Sequence, residues 1–85
     1  PEAEKAAAAA GRAFRPRAEE ARRLEQLARR AAEENGAERV PAFAEGADLE
    51  RKGDQALATG LTASAARRFL EARAQFERAL RAARQ

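Results

Sequence analysis

Few side chains in this sequence could carry out covalent chemistry. The 85 residues include no histidine and no cysteine, so an imidazole base, a thiolate nucleophile and a zinc finger are all excluded. The hydroxyl groups of Thr59, Thr62 and Ser64 lie close together in the sequence. With no histidine to activate them, they lack the base that a serine-type nucleophile requires. We therefore expect no enzyme activity and no cofactor.

The acidic side chains that come nearest to a cation site are Asp48, Glu50 and Asp54. A calcium loop needs a central glycine and oxygen ligands at alternating positions, and these residues have no such surroundings. Adjacent carboxylates such as Glu33 and Glu34 point in different directions on a helix. The sequence therefore predicts no metal site, and solvent-exposed helix faces account for the acids.

The charge is unevenly distributed along the chain, although the net value is only +3. Residues 12–30 and 61–85 each carry +4, whereas residues 33–54 carry −4. An acidic middle helix flanked by two basic helices would neutralise much of this charge within the fold. The arginines of the last segment form a candidate face for an anionic partner: Arg67, Arg68, Arg78, Arg81 and Arg84.

Those arginines make nucleic-acid binding the alternative function. Clustered cations are what phosphate neutralisation requires. However, the chain has no Tyr or Trp on which bases could stack, and Glu71 and Glu77 interrupt the arginine series. No helix-turn-helix or basic-zipper pattern is recognisable.

The most informative spacing in the chain is that of its glycines and phenylalanines. Gly46, Gly53 and Gly60 recur every seven residues, and Phe69 and Phe76 follow at the same interval. In an antiparallel hairpin that turns at residues 61–62, Gly53 faces Phe69 and Gly46 faces Phe76, while Gly60 faces Thr62. Each ring then packs on backbone that has no side chain, which lets the two helices approach closely.

The spacing of apolar residues predicts helices nearly throughout and no strands. Gly11 and the Arg-Pro-Arg segment at 15–17 are expected to interrupt an alanine-rich, partly helical or frayed lead-in at 1–15. A three-helix domain should follow at 16–85, with helices at about 17–35, 40–59 and 63–84. Asn35-Gly36 and Gly60 are the expected helix stops.

The larger apolar residues of the first two helices complete the predicted core. We expect Leu24 and Leu27 of the first helix to pack against Phe43 and Leu57 of the second, and Leu49 to lie on the glycine face. The second helix would therefore lie between the other two. The fold class predicted from these patterns is an all-α, three-helix antiparallel bundle.

The middle of the chain resembles one tetratricopeptide (TPR) repeat over about residues 46–73. The matching positions of that pattern are Leu49, Gly53, Ala56, Gly60, Ala65, Phe69 and Ala72. Lys52 and Ala56 depart from it, no proline closes the unit, and the last helix continues beyond Ala72. The resemblance implies a TPR-like hairpin with elongated helices that serves as a protein–protein scaffold. Alanine-rich helical domains of bacterial envelope or signalling proteins are similar.

Composition supports a module that needs a partner. Alanine accounts for 26 of the 38 hydrophobic residues, so few large side chains are available for a core. We therefore expect a protein partner or self-association to complete the core, and a role in interaction or assembly within a larger chain or complex. No apolar run is long enough for a transmembrane segment. The compartment, cytoplasmic or envelope-associated, is not readable.

Overall fold

The computed structural model describes the backbone of residues 2–85 and the side chains of residues 15–85. Helix α1 spans Glu2–Glu34, α2 spans Pro41–Ala58 and α3 spans Thr62–Arg84. A single 3₁₀ turn, Ala37–Arg39, connects α1 to α2. The described residues contain no strand. The fold is therefore an all-α three-helix bundle, which is the predicted fold class.

Two glycines in left-handed backbone conformation make the turns between helices. Gly36 has φ 70° after α1, and Gly60 has φ 80° after α2, values that L side chains rarely adopt. A Cβ atom on Gly60 would meet no atom within 4 Å. The prediction that Gly60 is a packing glycine is therefore wrong, because its role is to permit the turn.

At Gly46 and Gly53 the backbone of α2 lies directly against phenylalanine rings of α3. A Cβ atom on Gly46 would lie 2.8 Å from Cε1 of Phe76, and one on Gly53 would lie 2.6 Å from Cε1 of Phe69. Both rings are fully buried. This is the pairing that the seven-residue spacing predicts for an antiparallel hairpin, and no other amino acid would leave room for the rings.

Two separate apolar clusters form the core. The first surrounds Phe76 and Phe43, whose ring centroids lie 5.1 Å apart in an edge-to-face arrangement, and it includes half-buried Leu49. The second surrounds Phe69, with Leu57 packed at its edge. Most other buried members of both clusters are alanines, and the part of α1 from Arg15 onward contributes only alanines to them.

The central helix of the bundle is α3, and not α2 as the charge pattern predicted. Helix α3 packs closely along both other helices, whereas α1 and α2 approach each other at few points. Alanines such as Ala18 and Ala32 on α1 share clusters with Ala65 and Ala79 on α3, and small side chains allow close approach. Long charged side chains instead connect α1 to α2.

Helix α1 differs from its prediction at its start. It begins at Glu2 and continues through Pro16, so the expected interruption near residues 11–17 is not found. A proline removes one backbone donor, while the alanine-rich turns on either side keep theirs and have high helix propensity. Pro1 and the side chains of the predicted lead-in before Arg15 lie outside the described residues.

The buried face of α1 is also rotated from the predicted stripe. Leu27 is 50% exposed and Leu24 is half-buried, so the expected packing of Leu27 in the core is wrong. Ala18, Ala21 and Ala32 occupy the interior together with Glu25. Alanines occupy these buried positions because leucines there would force α1 away from α3.

We expect Gly53→Leu to destabilise the bundle by about 1–3 kcal/mol, because the new side chain overlaps the buried ring of Phe69. Thermal melts followed by circular dichroism measure the loss. Ala44→Leu is the matched control, since Ala44 is an exposed position of the same helix and should change the melting temperature little. Equal melts for both variants would contradict the close approach.

Candidate functional site

The hydroxyl candidates occupy the α2–α3 turn and form no catalytic arrangement. The Thr59 hydroxyl donates hydrogen bonds to the backbone oxygens of Gln55 and Ala56, both at 3.1 Å. Thr62 is buried at the first turn of α3. The Thr59 hydroxyl therefore stabilises the end of α2 by hydrogen bonding to its backbone.

Three of the four acids of α2 are engaged by basic side chains. Arg51 and Lys52 hydrogen-bond to Asp48 and lower the pKa of its carboxyl. Asp54 pairs with Arg22 of α1 at 3.1 Å. Among the described residues no group of acids is arranged to hold a metal ion. The interactions between α1 and α2 are thus ion pairs along the edge of the bundle.

A fully buried carboxyl, Glu25, is the unexpected feature of this edge. It belongs to α1 and lies in sequence between Ala21 of the second cluster and Ala28 beside the first. Neither carboxyl oxygen of Glu25 accepts a hydrogen bond from any described residue. An ionised carboxylate in such a place is strongly disfavoured.

Burial, together with hydrogen bonding to Glu50 and the charge of Glu50, raises the pKa of Glu25 to about 8. Asp54 acts in the same direction, whereas Arg29 lowers the pKa. At neutral pH the carboxyl is therefore mainly protonated. As a neutral acid it can donate its proton toward the carboxylate of Glu50, which suits two acids that face each other.

Arg29 connects this acidic pair to the aromatic core. Its guanidinium binds the carboxylate of Glu50 and lies 5.4 Å from the ring centroid of Phe43 and 5.8 Å from that of Phe76. Aromatic faces attract cations at these distances. The result is a polar layer, defined by Glu25, Arg29 and Glu50, that ties α1 to α2.

The predicted anionic-partner face is divided among different parts of the surface. Arg67 lines a groove between α1 and α3, whereas Arg68 lines one between α2 and α3 and pairs with Glu71. Arg78 lies beside the start of α2. Arg81 and Arg84 are in the last turn of α3, where cations stabilise the helix C-terminus.

A groove runs between α1 and α3. It has a volume of about 700 Å³ and is open to solvent. Alanines form much of its lining, Leu24 and Leu70 stand on opposite helices, and Leu70 is 52% exposed. The described residues that line it are Pro16, Arg17, Glu20, Ala21, Leu24, Ala63, Ala66, Arg67 and Leu70.

Sequence reasoning missed both Glu25 and the groove. The sequence does carry a signal for the groove, because Leu70 directly follows Phe69 and so falls outside the helix face that carries Phe69 and Phe76. The burial of Glu25 had a weaker signal, namely its position four residues after Ala21 and seven before Ala32. An acid that is spaced like the core residues of a helix can be recognised as buried only once it is known which face of that helix points inward.

No protein-family model, curated protein or solved structure matches this chain. Within the described part of the chain, none of the helices combines the length and apolarity needed to cross a bilayer. The surface of the bundle is therefore the basis on which a function can be proposed.

The stability of the bundle should fall as pH rises from about 4.5 to 8. Glu25 loses its proton near pH 4.5 when unfolded but only near pH 8 when folded, so the folded state retains a proton across this interval. Above pH 8 the buried charge exerts its full penalty, of the order of a few kcal/mol at about 1.4 kcal/mol per pKa unit.

Glu25→Gln should remove this pH dependence and raise the melting temperature at pH 9 by several degrees. Circular dichroism melts at pH 5.5, 7 and 9 make the comparison. Glu19→Gln is the control, because Glu19 is an exposed carboxylate of the same helix, and this variant should keep the wild-type slope. A wild-type melting temperature that is the same at pH 5.5 and 9 would argue against the buried acid.

Proposed function

We propose that this chain is a non-catalytic protein–protein interaction module that binds a helix of its partner in the α1–α3 groove. The single observation that carries the proposal is the groove itself, a largely apolar concavity with a volume of about 700 Å³ and an exposed leucine on its wall. An apolar groove walled by an exposed leucine is the kind of surface that the apolar face of an amphipathic helix can bury.

The shape of the groove suits a helical partner. Helices α1 and α3 run parallel, since each is antiparallel to α2 through a short connection. Ala21, Ala63 and Ala66 present little side chain, so a third backbone can approach closely, and Leu24 and Leu70 can interdigitate with its side chains. Recognition of an amphipathic helix by a groove between helices is a recurrent mode.

The α2–α3 hairpin is the TPR-like part of this proposal. Its Gly53–Phe69 contact involves two positions of the resemblance, and scaffolding is the role that the resemblance implies. The α1–α3 groove is a different surface, formed by a helix that precedes the resembling segment. We propose that the hairpin gives rigidity and that α1 and α3 supply the binding face, within a larger chain or complex.

Nucleic-acid binding is less well supported by the arrangement of the arginines. Arg67 and Arg68 open onto different grooves, and Arg68 is paired with Glu71. A phosphate backbone requires cations along one continuous path. The positive charge that lies at the groove accompanies leucines and alanines, which favour a protein partner.

Leu70→Glu should abolish partner binding without unfolding the bundle, because Leu70 is exposed and contributes to neither core cluster. Leu61→Glu is the matched control, since Leu61 is 60% exposed but lies at the α2–α3 turn away from the groove. Affinity purification with each tagged variant, followed by mass spectrometry, makes the comparison.

The expected result is a protein that co-purifies with the wild type and with Leu61→Glu but not with Leu70→Glu. Retention of every partner by Leu70→Glu would refute the groove as the binding site. A bound species that absorbs at 260 nm and is released by salt would favour nucleic acid, and the chain would add little absorbance because it has no Trp or Tyr.

A further inference from the structure

We infer that the partner helix is acidic: an amphipathic helix whose apolar stripe is flanked by Asp or Glu. This inference rests on the proposed function, since it specifies the ligand of the same groove. It is carried by the charges at the groove's rim, taken together with the leucines on its walls.

The charged residues that line the groove, among the side chains that the structure describes, are Arg17, Glu20 and Arg67. The carboxylate of Glu20 is occupied by Arg23, which donates to both of its oxygens at 2.9 and 2.6 Å. Arg67 forms no ion pair with any described residue. Because Glu20 is paired internally, the charge that Arg67 presents to an incoming helix at the rim is positive.

A second copy of this chain fits the groove poorly. Two grooves packed face to face would bring like-charged rims together, and like charges at an interface are unfavourable. The acidic helix α2 is a poor occupant too, because three of its four acids, at positions 48, 50 and 54, are already held by basic side chains. A different protein is therefore the better source of the complementary carboxylates.

The dimensions of the groove define how much of the partner it contacts. Its lining runs from Pro16 to Leu24 on α1 and from Ala63 to Leu70 on α3, which is about 12 Å of helix at 1.5 Å per residue. Two turns of a partner fit this length. Leucines spaced by three, four and seven residues would enter between Leu24 and Leu70, and a flanking carboxylate would reach Arg67.

Two synthetic 18-residue peptides test the inference with the full chain. Both carry the same leucine and alanine stripe at helical spacing and a hydrocarbon staple on the opposite face, which equalises their helicity. The first peptide has glutamates flanking the stripe, and the second has lysines at the same positions. Each is labelled with fluorescein, and its affinity is measured by fluorescence anisotropy at low and at physiological salt.

We expect the glutamate peptide to bind wild-type chain about tenfold more tightly than the lysine peptide at low salt, with the difference decreasing as salt is added. Arg67→Glu should reduce the preference about fivefold or more, since it replaces an attraction by a repulsion. Arg81→Glu makes the same change of charge on the same helix outside the groove and should retain most of the preference.

The outcomes separate this inference from the proposed function. Equal affinities for the two peptides, both lost in Leu70→Glu, would overturn the acidic partner and leave the groove as a binding site. Binding that Leu70→Glu does not reduce would overturn both. A labelled 20-nucleotide single strand that binds more tightly than either peptide, and equally well to Leu70→Glu, would also overturn both in favour of nucleic acid.

Discussion

The close approach of α2 and α3 is the constraint on which the rest of the bundle depends. Two phenylalanine rings lie on the bare backbone of two glycines, with separations that leave no room for a methyl group. This contact sets the distance and register of the hairpin. Because the rings fill the α2 side of the core, α1 can contribute small side chains and still bury a continuous face against α3.

Alanine determines what α1 can do. Its described buried positions, from residue 15 onward, carry alanine and one glutamate, so α1 lies near α3 and its own leucines are displaced toward the surface. A leucine that would be a core residue in a wider bundle becomes a wall of the groove in this one. The binding surface and the thinness of the core therefore have the same origin, which is the shortage of large apolar side chains.

The fold was more predictable than the candidate site, for reasons that individual residues illustrate. Helices α2 and α3 were predicted to within two residues, because glycines and a proline mark their ends and the Gly53–Phe69 spacing is specific. Helix α1 offered alanines on several sides, so its phase could not be read from periodicity. Leucines were assumed to point inward, which misplaced Leu27 and left Glu25 out of the interior.

The arginines could not be interpreted from sequence for a different reason. Whether an arginine is available to a partner depends on which acids lie beside it in three dimensions. Arg68 and Arg67 are adjacent in the chain, yet one is paired within α3 and the other lines the groove. Pairings across helices, such as Arg22 with Asp54, require the register of α1 against α2, which no local pattern contains.

Glu25, the buried acid between the two apolar clusters, also determines how α1 aligns along α3. A displacement of α1 by one turn along α3 would carry Glu25 away from Glu50 of α2 and into one of the phenylalanine clusters, where no carboxylate could accept its proton. Alanine faces alone would tolerate such a slip with little change in packing. Glu25 therefore favours the native alignment of α1 over alignments displaced by one turn. The same polar group that lowers stability at high pH thus gives the alanine-rich interface a single register.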